Sequence, residues 1–277
     1  MKSKIAIVTG ASSGIGAATA ELLANSGYKV YGTSRRVVQT TQSSHKVITL
    51  DVNSNESVEA AINQVIQIEG RIDLLVNNAG FGVAPGGAEE SSIEQSKMMF
   101  DTNFFGMVRM TRAVVPHMRK QGEGRIINIG SILGLIPAPY MATYAATKHA
   151  VEGFSESLDH ELRTRGIRVS VVEPGYTNTQ FEANAPEVDA KLDEYNIARR
   201  ALSKITKVAI AAGDDPKVVA SVVLKAANAK TPKARYAAGK LASRLSLLRR
   251  FAPAALVDMG VRKELKLDSL DIVASQV

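Results

Sequence analysis

The stretch K-I-A-I-V-T-G-A-S-S-G-I-G-A-A-T-A-E-L-L, from Lys4 to Leu23, runs a short apolar segment into glycines and then into a helical pattern. The apolar segment is nearly continuous, which is typical of a strand covered by helices on both faces. Gly10, Gly14 and Gly16 permit unusual backbone angles and close approach to a ligand. Because a helix start presents N–H groups and a positive dipole, it suits a pyrophosphate. The stretch therefore predicts a strand, a phosphate-binding loop and a helix.

The spacing of these glycines limits what the loop can be. It is G-x-x-x-G-x-G, which differs from the standard dinucleotide fingerprint. It is not a P-loop either, since a P-loop ends in Gly-Lys followed by Ser or Thr. A glycine turn that binds nothing is the alternative.

Strand and helix patterns alternate along the rest of the chain. This alternation predicts an α/β fold, a single-domain Rossmann-type doubly wound parallel sheet with helices on both faces. A length of 277 residues suits one such domain with a sizeable core. We also expect a substrate lid over about residues 180–215 and a basic helical extension over about 240–277. Strands are predicted at Lys29–Thr33, Val47–Leu50, Ile72–Val76, Arg125–Ile129 and Ile167–Val172, and helices at Val58–Ile68, Met98–Met118 and Thr143–Arg165.

Several polar or turn-forming residues come directly after predicted strands. In doubly wound sheets, ligands bind beyond the carboxyl ends of the strands. Residues at those ends converge on one crevice even when they are far apart in sequence. The residues at these positions are Gly10, Arg35, Asp51, Asn77, Ser131 and Pro174.

Tyr144 and Lys148 lie four residues apart in Y-A-A-T-K, and Ser131 lies thirteen residues upstream. On a helix, positions i and i+4 share a face, so the lysine ammonium can lie beside the phenol. A nearby cation stabilises a phenolate and moves the tyrosine pKa from about 10 toward neutrality. These side chains therefore predict an acid or base that works near neutral pH. The alternative, a surface tyrosine packed over a lysine stem, is common at this spacing.

Composition narrows the class of protein. The chain has no cysteine, which excludes disulfides and thiolate chemistry. The first apolar segment reaches glycine after a handful of residues, too few for a signal peptide or a membrane span. The four histidines have no ligand partner at a suitable spacing, so no metal site is predicted. We therefore expect a soluble, cytoplasmic protein.

The formal charge of +7 arises in one segment. Residues 217–257 contain nine Lys or Arg and no Asp or Glu. The segment lacks the interleaved aromatic residues and motifs of nucleic-acid binders, so no nucleic-acid partner is predicted. Leucines at 241, 245 and 248 line one side of a possible helix, which could meet a membrane surface, an acidic partner or a second subunit. A packed helix with a solvated basic face is the more common explanation.

Taken together, these motifs resemble those of the short-chain dehydrogenase/reductase family, over roughly residues 4–179. Any single motif could be structural, but the whole set in this order is specific. The chain carries T-G-A-S-S-G-I-G at Thr9–Gly16, D-V at Asp51–Val52, N-N-A-G at Asn77–Gly80, an asparagine at Asn103, a serine at Ser131, Y-A-A-T-K at Tyr144–Lys148 and P-G-Y-T-N-T at Pro174–Thr179.

The resemblance implies an oxidoreductase in which Tyr144 exchanges a proton with the substrate oxygen. Ser131 would hydrogen-bond the same oxygen. Lys148 would hold the nicotinamide ribose hydroxyls and favour the Tyr144 phenolate, and Asn103 would anchor a water on the proton path. Hydride would pass between the nicotinamide and a carbonyl carbon.

The resemblance also implies a cofactor site. Thr177 and Thr179 would meet the nicotinamide carboxamide. Asp51 would accept from the adenine amino group, unless it caps the next helix. The N-N-A-G segment would either brace neighbouring strands or touch the cofactor. The expected contacts are Gly10, Ser12, Ser13, Gly14, Ile15, Gly16, Arg35, Arg36, Asp51, Val52, Asn78, Ala79, Gly80, Tyr144, Lys148, Pro174, Gly175, Thr177 and Thr179.

The residues after the second predicted strand bear on the choice of cofactor. An acidic residue there binds the ribose 2′-hydroxyl of NAD, whereas the 2′-phosphate of NADP calls for Arg. The chain reads V-Y-G-T-S-R-R, and no acidic residue lies between Tyr28 and Leu50. Arg35 is the predicted phosphate ligand, with Ser13 and Arg36 as helpers, because a guanidinium binds phosphate through two bonds. NADP(H) is therefore expected; the alternative is that both arginines are solvated surface charges.

The sequence defines the substrate only as a class. The stretch I-L-G-L-I-P-A-P-Y-M after Ser131 is apolar, and Phe81, Val83 and Phe181 are expected to join it, which predicts a lipophilic carbonyl or alcohol. The T-S-R pattern at Thr33–Arg35, together with the S-I-L-G-L-I-P stretch at Ser131–Pro137, is similar to hydroxysteroid and retinol dehydrogenases of the family. An NADPH-binding regulatory protein and a non-redox enzyme or epimerase are the alternatives. The resemblance also implies a homodimer or homotetramer.

Overall fold

Seven parallel strands form one sheet in this computed structural model, which describes residues 3–35 and 44–268. Their order is β3-β2-β1-β4-β5-β6-β7, so the chain builds outward from β1 to one edge and then from β4 to the other. Such a reversal opens a crevice at the carboxyl ends of the two central strands. The predicted fold class is confirmed. The strands are β1 (Ile5–Val8), β2 (Lys29–Ser34), β3 (Lys46–Thr49), β4 (Leu74–Asn77), β5 (Gly124–Ile129), β6 (Ile167–Pro174) and β7 (Arg235–Ala238).

Helices cover both faces of this sheet. One apolar core packs α2, α4 and α5 against the first face, and a second core packs α1 and α7 against the other. Every residue of β1 and β4 is buried, as expected of strands covered on both sides. The α-helices in the described ranges are α1 (Gly14–Asn25), α2 (Asn55–Glu69), α3 (Ile93–Phe100), α4 (Gly106–Gln121), α5 (Ala142–Leu162), α6 (Asn196–Ala211), α7 (Pro216–Asn228), α8 (Lys240–Phe251) and α9 (Ala254–Glu264).

One predicted helix needs correction, and one strand was not predicted. The single helix expected at 98–118 is two helices, α3 and α4, joined by a π-helical turn over Asp101–Phe105. The first of them begins five residues early, where Ser92 Oγ accepts a hydrogen bond from Gln95 N (3.0 Å) and caps it. Strand β7 was not expected, because its four residues, R-Y-A-A, carry little apolar signal. It pairs in register with the end of β6.

Candidate active site

The glycine loop after β1 is packed too closely for side chains at its glycine positions. Gly10 and Gly14 have φ of +65° and +55°, in the left-handed region that favours glycine. A Cβ at Gly16 would lie 2.2 Å from the carbonyl oxygen of Gly10. Ser12 and Ser13 are exposed, and within the described residues the Ser13 hydroxyl makes no cap hydrogen bond to α1. The loop thus presents hydroxyl and backbone donors that fit a diphosphate.

Asn78 braces this loop from the end of β4. Its Nδ2 donates to the carbonyl oxygens of Thr9 (2.9 Å) and Gly10 (3.1 Å). In return, Thr9 Oγ1 accepts from the backbone N–H groups of Asn78 (2.9 Å) and Ala79 (3.0 Å). Asn77 points into the sheet instead, where its Nδ2 donates to an amide oxygen on β5 (2.8 Å). These contacts fit the bracing alternative for the N-N-A-G segment.

Ser131, Tyr144 and Lys148 meet at the carboxyl end of β5. Ser131 begins a 3-10 turn, and its Oγ accepts from Leu133 N at 3.1 Å. Helix α5 carries the other two, and Lys148 Nζ lies 5.7 Å from the centre of the Tyr144 ring. The same Nζ donates to the carbonyl oxygen of Ile129 at 2.9 Å. This bond to the last residue of β5 fixes the ammonium relative to the sheet.

Burial sets the protonation of this trio. Desolvation raises the pKa of Tyr144 above its usual value, and the Ser131 hydroxyl offsets part of that rise. Desolvation also lowers the pKa of Lys148 to about 8, against the opposing effect of the Glu152 carboxylate. These residues alone therefore do not bring the tyrosine pKa toward neutrality, contrary to the expectation from spacing. The reason is that burial disfavours phenolate and ammonium alike.

Asn103 lies in the π-helical turn between α3 and α4. Its Oδ1 accepts from Phe81 N (2.9 Å) and its Nδ2 donates to Phe81 O (2.8 Å). The Nδ2 also donates to Thr147 Oγ1 (3.3 Å), next to the lysine on α5. The side-chain amide is thus occupied in holding the loop after β4.

A buried charge cluster lies one helical turn beyond Lys148, and sequence reasoning missed it. Glu152 on α5 and Glu173 on β6 are buried, and Arg235 on β7 lies between them. Its Nε is 3.0 Å from the first carboxylate, 3.7 Å from the second and 3.1 Å from the half-exposed Glu156. Burial raises the pKa of Glu152 to about 8 and that of Glu173 to about 7. The available signal was the spacing K-H-A-V-E, which places a carboxylate four residues after the lysine.

Asp51 and Val52 follow β3. The Asp51 carboxylate accepts from Asn53 N at 3.0 Å. Ser54 Oγ, rather than Asp51, caps α2 by accepting from Ser57 N at 3.1 Å. The helix-capping alternative for Asp51 is therefore wrong, because another side chain takes that position. Val52 is buried and packs against α4.

Arg35 directly follows β2 and is exposed. The end of β2 is joined to the glycine loop, since Ala11 N donates to Thr33 O at 2.9 Å. A cation at this position can reach a group bound beside that loop. Arg36, the predicted helper, lies outside the described residues.

The segment after β6 returns to the glycine loop. Pro174 ends the strand, and Thr177 Oγ1 then donates to Gly175 O at 3.2 Å. Thr177 also bridges to the segment after α6. A Cβ at Gly14 would lie 3.3 Å from the Thr179 side chain. The predicted nicotinamide contacts are therefore next to the predicted diphosphate contacts.

A small cavity, lined by both apolar and polar side chains, adjoins Tyr144. Val83, Met99 and Val188 form a buried cluster along its wall. Phe181 covers another side, with its ring centroid 5.9 Å from that of Tyr144 and the rings at 62°. Of the residues expected around the reaction centre, Val83, Tyr140 and Met141 line the cavity, Phe81 packs against the same cluster, and Phe181 contacts the Tyr144 ring.

The predicted lid contains α6 and is held by a buried carboxylate. Glu90 lies in a 3-10 turn before α3 and is fully buried. It accepts from Gly87 N (2.7 Å) and from Leu192 N on the lid (2.8 Å). It also pairs with Arg199 of α6. One side chain therefore ties the lid to the wall of the cavity.

Comparison with known proteins agrees with this arrangement. A model of the short chain dehydrogenase family matches residues 4–189. The chain therefore belongs to the short-chain dehydrogenase/reductase family of oxidoreductases.

Its relatives cover most of its length. The chain is 39% identical over 243 residues to a 3-ketodihydrosphingosine reductase of Bacteroides thetaiotaomicron, with 87% of this chain and 90% of the relative aligned. Among solved structures, a short-chain dehydrogenase of Streptomyces avermitilis superposes with a TM-score of 0.80 at 30% identity, over 97% of this chain and 98% of that one.

Structural neighbours include complexes with both nicotinamide cofactors. A short-chain dehydrogenase of Burkholderia phymatum in complex with NAD has a TM-score of 0.76 at 27% identity, over 90% of this chain and 92% of that one. A serine dehydrogenase complexed with NADP+ has a TM-score of 0.73 at 29% identity, over 86% of this chain and 95% of that one. Fold similarity alone therefore does not decide between NAD and NADP.

Proposed function

We propose that this protein is an NADP(H)-dependent oxidoreductase that interconverts a carbonyl and an alcohol on a lipophilic substrate. The observation that carries the proposal is the meeting of Ser131, Tyr144 and Lys148 beside a partly apolar cavity. Membership of an oxidoreductase family supports the reaction class.

Tyr144 acts as the acid when a carbonyl is reduced. Its raised pKa keeps the proton on the phenol at neutral pH. Ser131 shares the hydrogen bond to the carbonyl oxygen and orients it toward the phenol. Lys148, whose pKa is about 8, is mostly cationic at pH 7 and stabilises the phenolate that remains after proton transfer. Alcohol oxidation reverses the roles, with the tyrosine as base.

The loop after β1 fits the diphosphate of a nicotinamide dinucleotide. Gly16 leaves no room for a Cβ against the carbonyl oxygen of Gly10, so α1 begins directly at the loop, and a helix start presents N–H groups that suit a diphosphate. Lys148 would hold the ribose hydroxyls, and Thr179 would meet the carboxamide. When bound, the cofactor supplies or accepts the hydride.

The preference for NADP(H) rests on Arg35. It is the exposed cation at the end of β2, beside the glycine loop, and no acidic residue lies between Tyr28 and Leu50 to bind a ribose 2′-hydroxyl. A guanidinium forms two charge-assisted hydrogen bonds to a phosphate. The exposed Ser13 hydroxyl on the loop is a further donor.

The cavity wall supports a lipophilic substrate. Val83, Met99 and Val188 form its buried apolar part, next to the hydroxyl groups of residues such as Ser91 and Tyr140, and Phe181 packs on the Tyr144 ring. The relative at 39% identity is named for a keto substrate, which favours a ketone. Such a pocket gains affinity from each apolar group it removes from water.

A carbonyl panel tests the proposal. Long-chain ketones, steroid ketones, retinal and small aliphatic carbonyls are offered with NADPH or NADH, and absorbance is followed at 340 nm. We expect oxidation of NADPH with lipophilic carbonyls. Tyr144→Phe should lower kcat/KM by about a hundredfold or more, since it removes the general acid. Tyr140→Phe, which removes a hydroxyl from another tyrosine lining the same cavity, is the matched control and should retain activity.

Two other outcomes of this assay would contradict the proposal and indicate a different function. Tight NADPH binding without turnover of any carbonyl, unchanged by Tyr144→Phe, would indicate a regulatory NADPH-binding protein. Conversion of substrate without net loss of NADPH would indicate epimerisation or other non-redox chemistry.

A further inference from the structure

Helices α8 and α9 carry large apolar side chains on their outer surface. Phe251 is 72% exposed, Leu247 62% and Met259 60%. Leu241, Leu248 and Leu256 are exposed as well. Six of the fourteen exposed large apolar side chains among the described residues thus lie within nineteen residues of sequence.

These side chains face away from the protein. Ala242 is the buried contact of α8, and Phe251 follows it by nine residues, which at 3.6 residues per turn places it on the opposite side. Leu247 and Leu248 lie within about 60° of Phe251 on the same helix. A packed helix with a solvated basic face would bury these leucines. Of the three leucines predicted to line one side, Leu241 and Leu248 are exposed and only Leu245 is half-buried, so packing of that side does not account for the helix.

Cations share this outer surface. Lys240 and Arg244 lie on or next to the apolar face of α8, and Arg250 lies at its flank. The sequence has no acidic residue from 217 to 257. On α9, Lys263 lies near the exposed Leu256 and Met259, while the acidic Asp258 lies on another side of the helix. Apolar and cationic groups are therefore interleaved on the outer side of α8, and α9 carries exposed apolar groups, cations and the acidic Asp258 and Glu264.

The surface lies next to the candidate active site. Arg249 Nε donates to the carbonyl oxygen of Leu135, four residues after the catalytic serine. Leu241 lies 3.7 Å from a Cβ placed at Gly175, in the segment after β6. The amino end of α8 also lies against the segment after α6, because a Cβ at Gly239 would meet Asp214. Helix α8 thus borders both the cofactor segment and the lid.

We propose that α8 and α9 dock this protein onto the surface of an anionic lipid bilayer. Phe, Leu and Met side chains would enter the boundary of headgroups and acyl chains, and Lys and Arg would meet the lipid phosphates. No helix among residues 3–35 and 44–268 is long and apolar enough to cross a bilayer, so the contact lies in the plane of the surface.

Charge favours lipid over a second copy of the chain. A two-fold contact through this surface would bring the cations of α8 against their own copies. The two helices together carry six Lys or Arg and only two Asp or Glu, so such a contact would leave an excess of positive charge. A phosphate-rich surface supplies the missing negative charge. The docking proposal depends only on these observations. If the proposed function is correct, docking would also place the cavity near substrates dissolved in the membrane.

Vesicle flotation tests the docking directly. The full chain is mixed with vesicles of phosphatidylcholine alone or with 40% phosphatidylglycerol, on the order of the charge that anionic membranes present, and floated through a density gradient. We expect flotation with the anionic vesicles only, and release as salt rises and screens the charges.

Paired variants separate docking from folding and catalysis. Leu247→Ser combined with Phe251→Ser, and separately Arg244→Glu combined with Arg250→Glu, should each lower vesicle affinity by about tenfold or more. Ile68→Ser and Arg165→Glu, at exposed positions on α2 and after α5, are the matched controls and should leave it unchanged. Turnover of a water-soluble carbonyl should be the same in all of these variants.

Any of three results would reject the proposal: no flotation, equal flotation with neutral vesicles, or an equal loss of affinity in the control variants. If flotation is absent and the α8 variants instead dissociate an oligomer in analytical ultracentrifugation, the surface is a contact between copies. The reductase assay in solution is independent of these outcomes.

Discussion

Lys148 lies between Tyr144 and the buried charge cluster that contains Glu152. Its ammonium is held by the carbonyl oxygen of Ile129 on one side and faces the Tyr144 ring on another. Among its neighbours, the Glu152 carboxylate raises its pKa, which burial has lowered to about 8. The charge on this lysine near neutral pH therefore depends on a residue that does not reach the substrate.

Replacing Glu152 with Gln should shift the pH dependence of turnover. The carboxylate favours the ammonium form, so its loss lowers the Lys148 pKa further. Activity that needs the ammonium is lost as pH rises through that pKa. The alkaline limb of the kcat profile should move to lower pH, by less than a fully ionised carboxylate would cause, because Glu152 has a pKa of about 8 and is only partly ionised in that range. The measurement is kcat for carbonyl reduction from pH 5.5 to 9.5.

Glu156→Gln is the control for this prediction. Glu156 contacts the same Arg235 but is half-exposed, and its effect on the lysine is not among the causes of the shift. A profile that moves in neither variant, with a loss of thermal stability in Glu152→Gln alone, would show that Glu152 is only structural.

Arg35→Asp should reverse the preference for NADPH over NADH. The change removes two charge-assisted bonds to a 2′-phosphate and places a repelling carboxylate there, which can accept from a ribose 2′-hydroxyl instead. We expect kcat/KM for NADPH to fall roughly ten- to a hundredfold. Arg165→Asp, at the amino end of β6 and far from the crevice, should leave it unchanged. A retained preference for NADPH in Arg35→Asp would remove the basis of the assignment.

The sequence predicted which residues gather at the site, but not their protonation. Ser131 and the Y-A-A-T-K pair lie after a strand and on a helix face, positions that local patterns reveal. The direction of the Tyr144 pKa shift depends on how much water α5, the lid and the sheet exclude together. That quantity arises from contacts between distant segments, so spacing alone gave the wrong direction.

At the scale of the elements, the break between α3 and α4 shows that hydrophobic periodicity alone does not predict where a helix is interrupted. The apolar pattern continues through residues 98–118, and a π turn adds one residue to a helical turn without interrupting it. The turn places Asn103 where its amide clamps Phe81. The sequence pattern gives the polarity at each position, but it does not show which carbonyl oxygen accepts from each backbone N–H, so the π turn could not be predicted from it.

The lid provides the prediction at this scale. Glu90→Gln removes the charge that pairs with Arg199, while leaving one oxygen for the N–H of Gly87 or Leu192. We expect the substrate KM to rise about tenfold, because a loosened lid buries the substrate less well. NADPH affinity, measured by fluorescence titration, should change less than about twofold.

An exposed ion pair on the same segment is the control for the lid. Glu187→Gln breaks a contact with Lys191 at the surface, where such pairs contribute little. Its KM should stay near that of the parent. Equal increases in KM for both variants would contradict a special role for the buried carboxylate.

For the whole molecule, the order of secondary structure was predictable because each central strand is covered on both faces. Continuous apolar runs at β1, β4 and β5 follow from that burial. The edge strand β7 was harder to predict, since it has only four residues and pairs with a single neighbour, β6. The orientation of α8 was also not readable, because leucines on one face fit either a core or an external surface.

Asp159, a buried carboxylate between α5 and β6, should contribute to stability in acid. Burial alone would raise the pKa of Asp159, but hydrogen bonds from Arg168 and Arg163 lower it to about 2. In the unfolded chain this carboxyl titrates near about 3.9. Its contribution is present above that value and is lost as pH falls toward 2. Asp159→Asn should therefore lower the unfolding free energy at pH 5 and flatten its decline in acid, as measured by urea denaturation.

At higher pH the buried cluster should produce the opposite slope. Burial raises the pKa of Glu152 to about 8 and that of Glu173 to about 7, whereas glutamates in the unfolded chain titrate near about 4.3. Between these values the folded protein holds more protons, so its unfolding free energy falls as pH rises from 5 to about 8. Glu173→Gln, which mimics the protonated form, should reduce that fall, while the exposed Glu161→Gln should not. Urea denaturation of the cofactor-free protein at several pH values measures both slopes, and equal slopes would mean that Glu173 stays ionised in the fold.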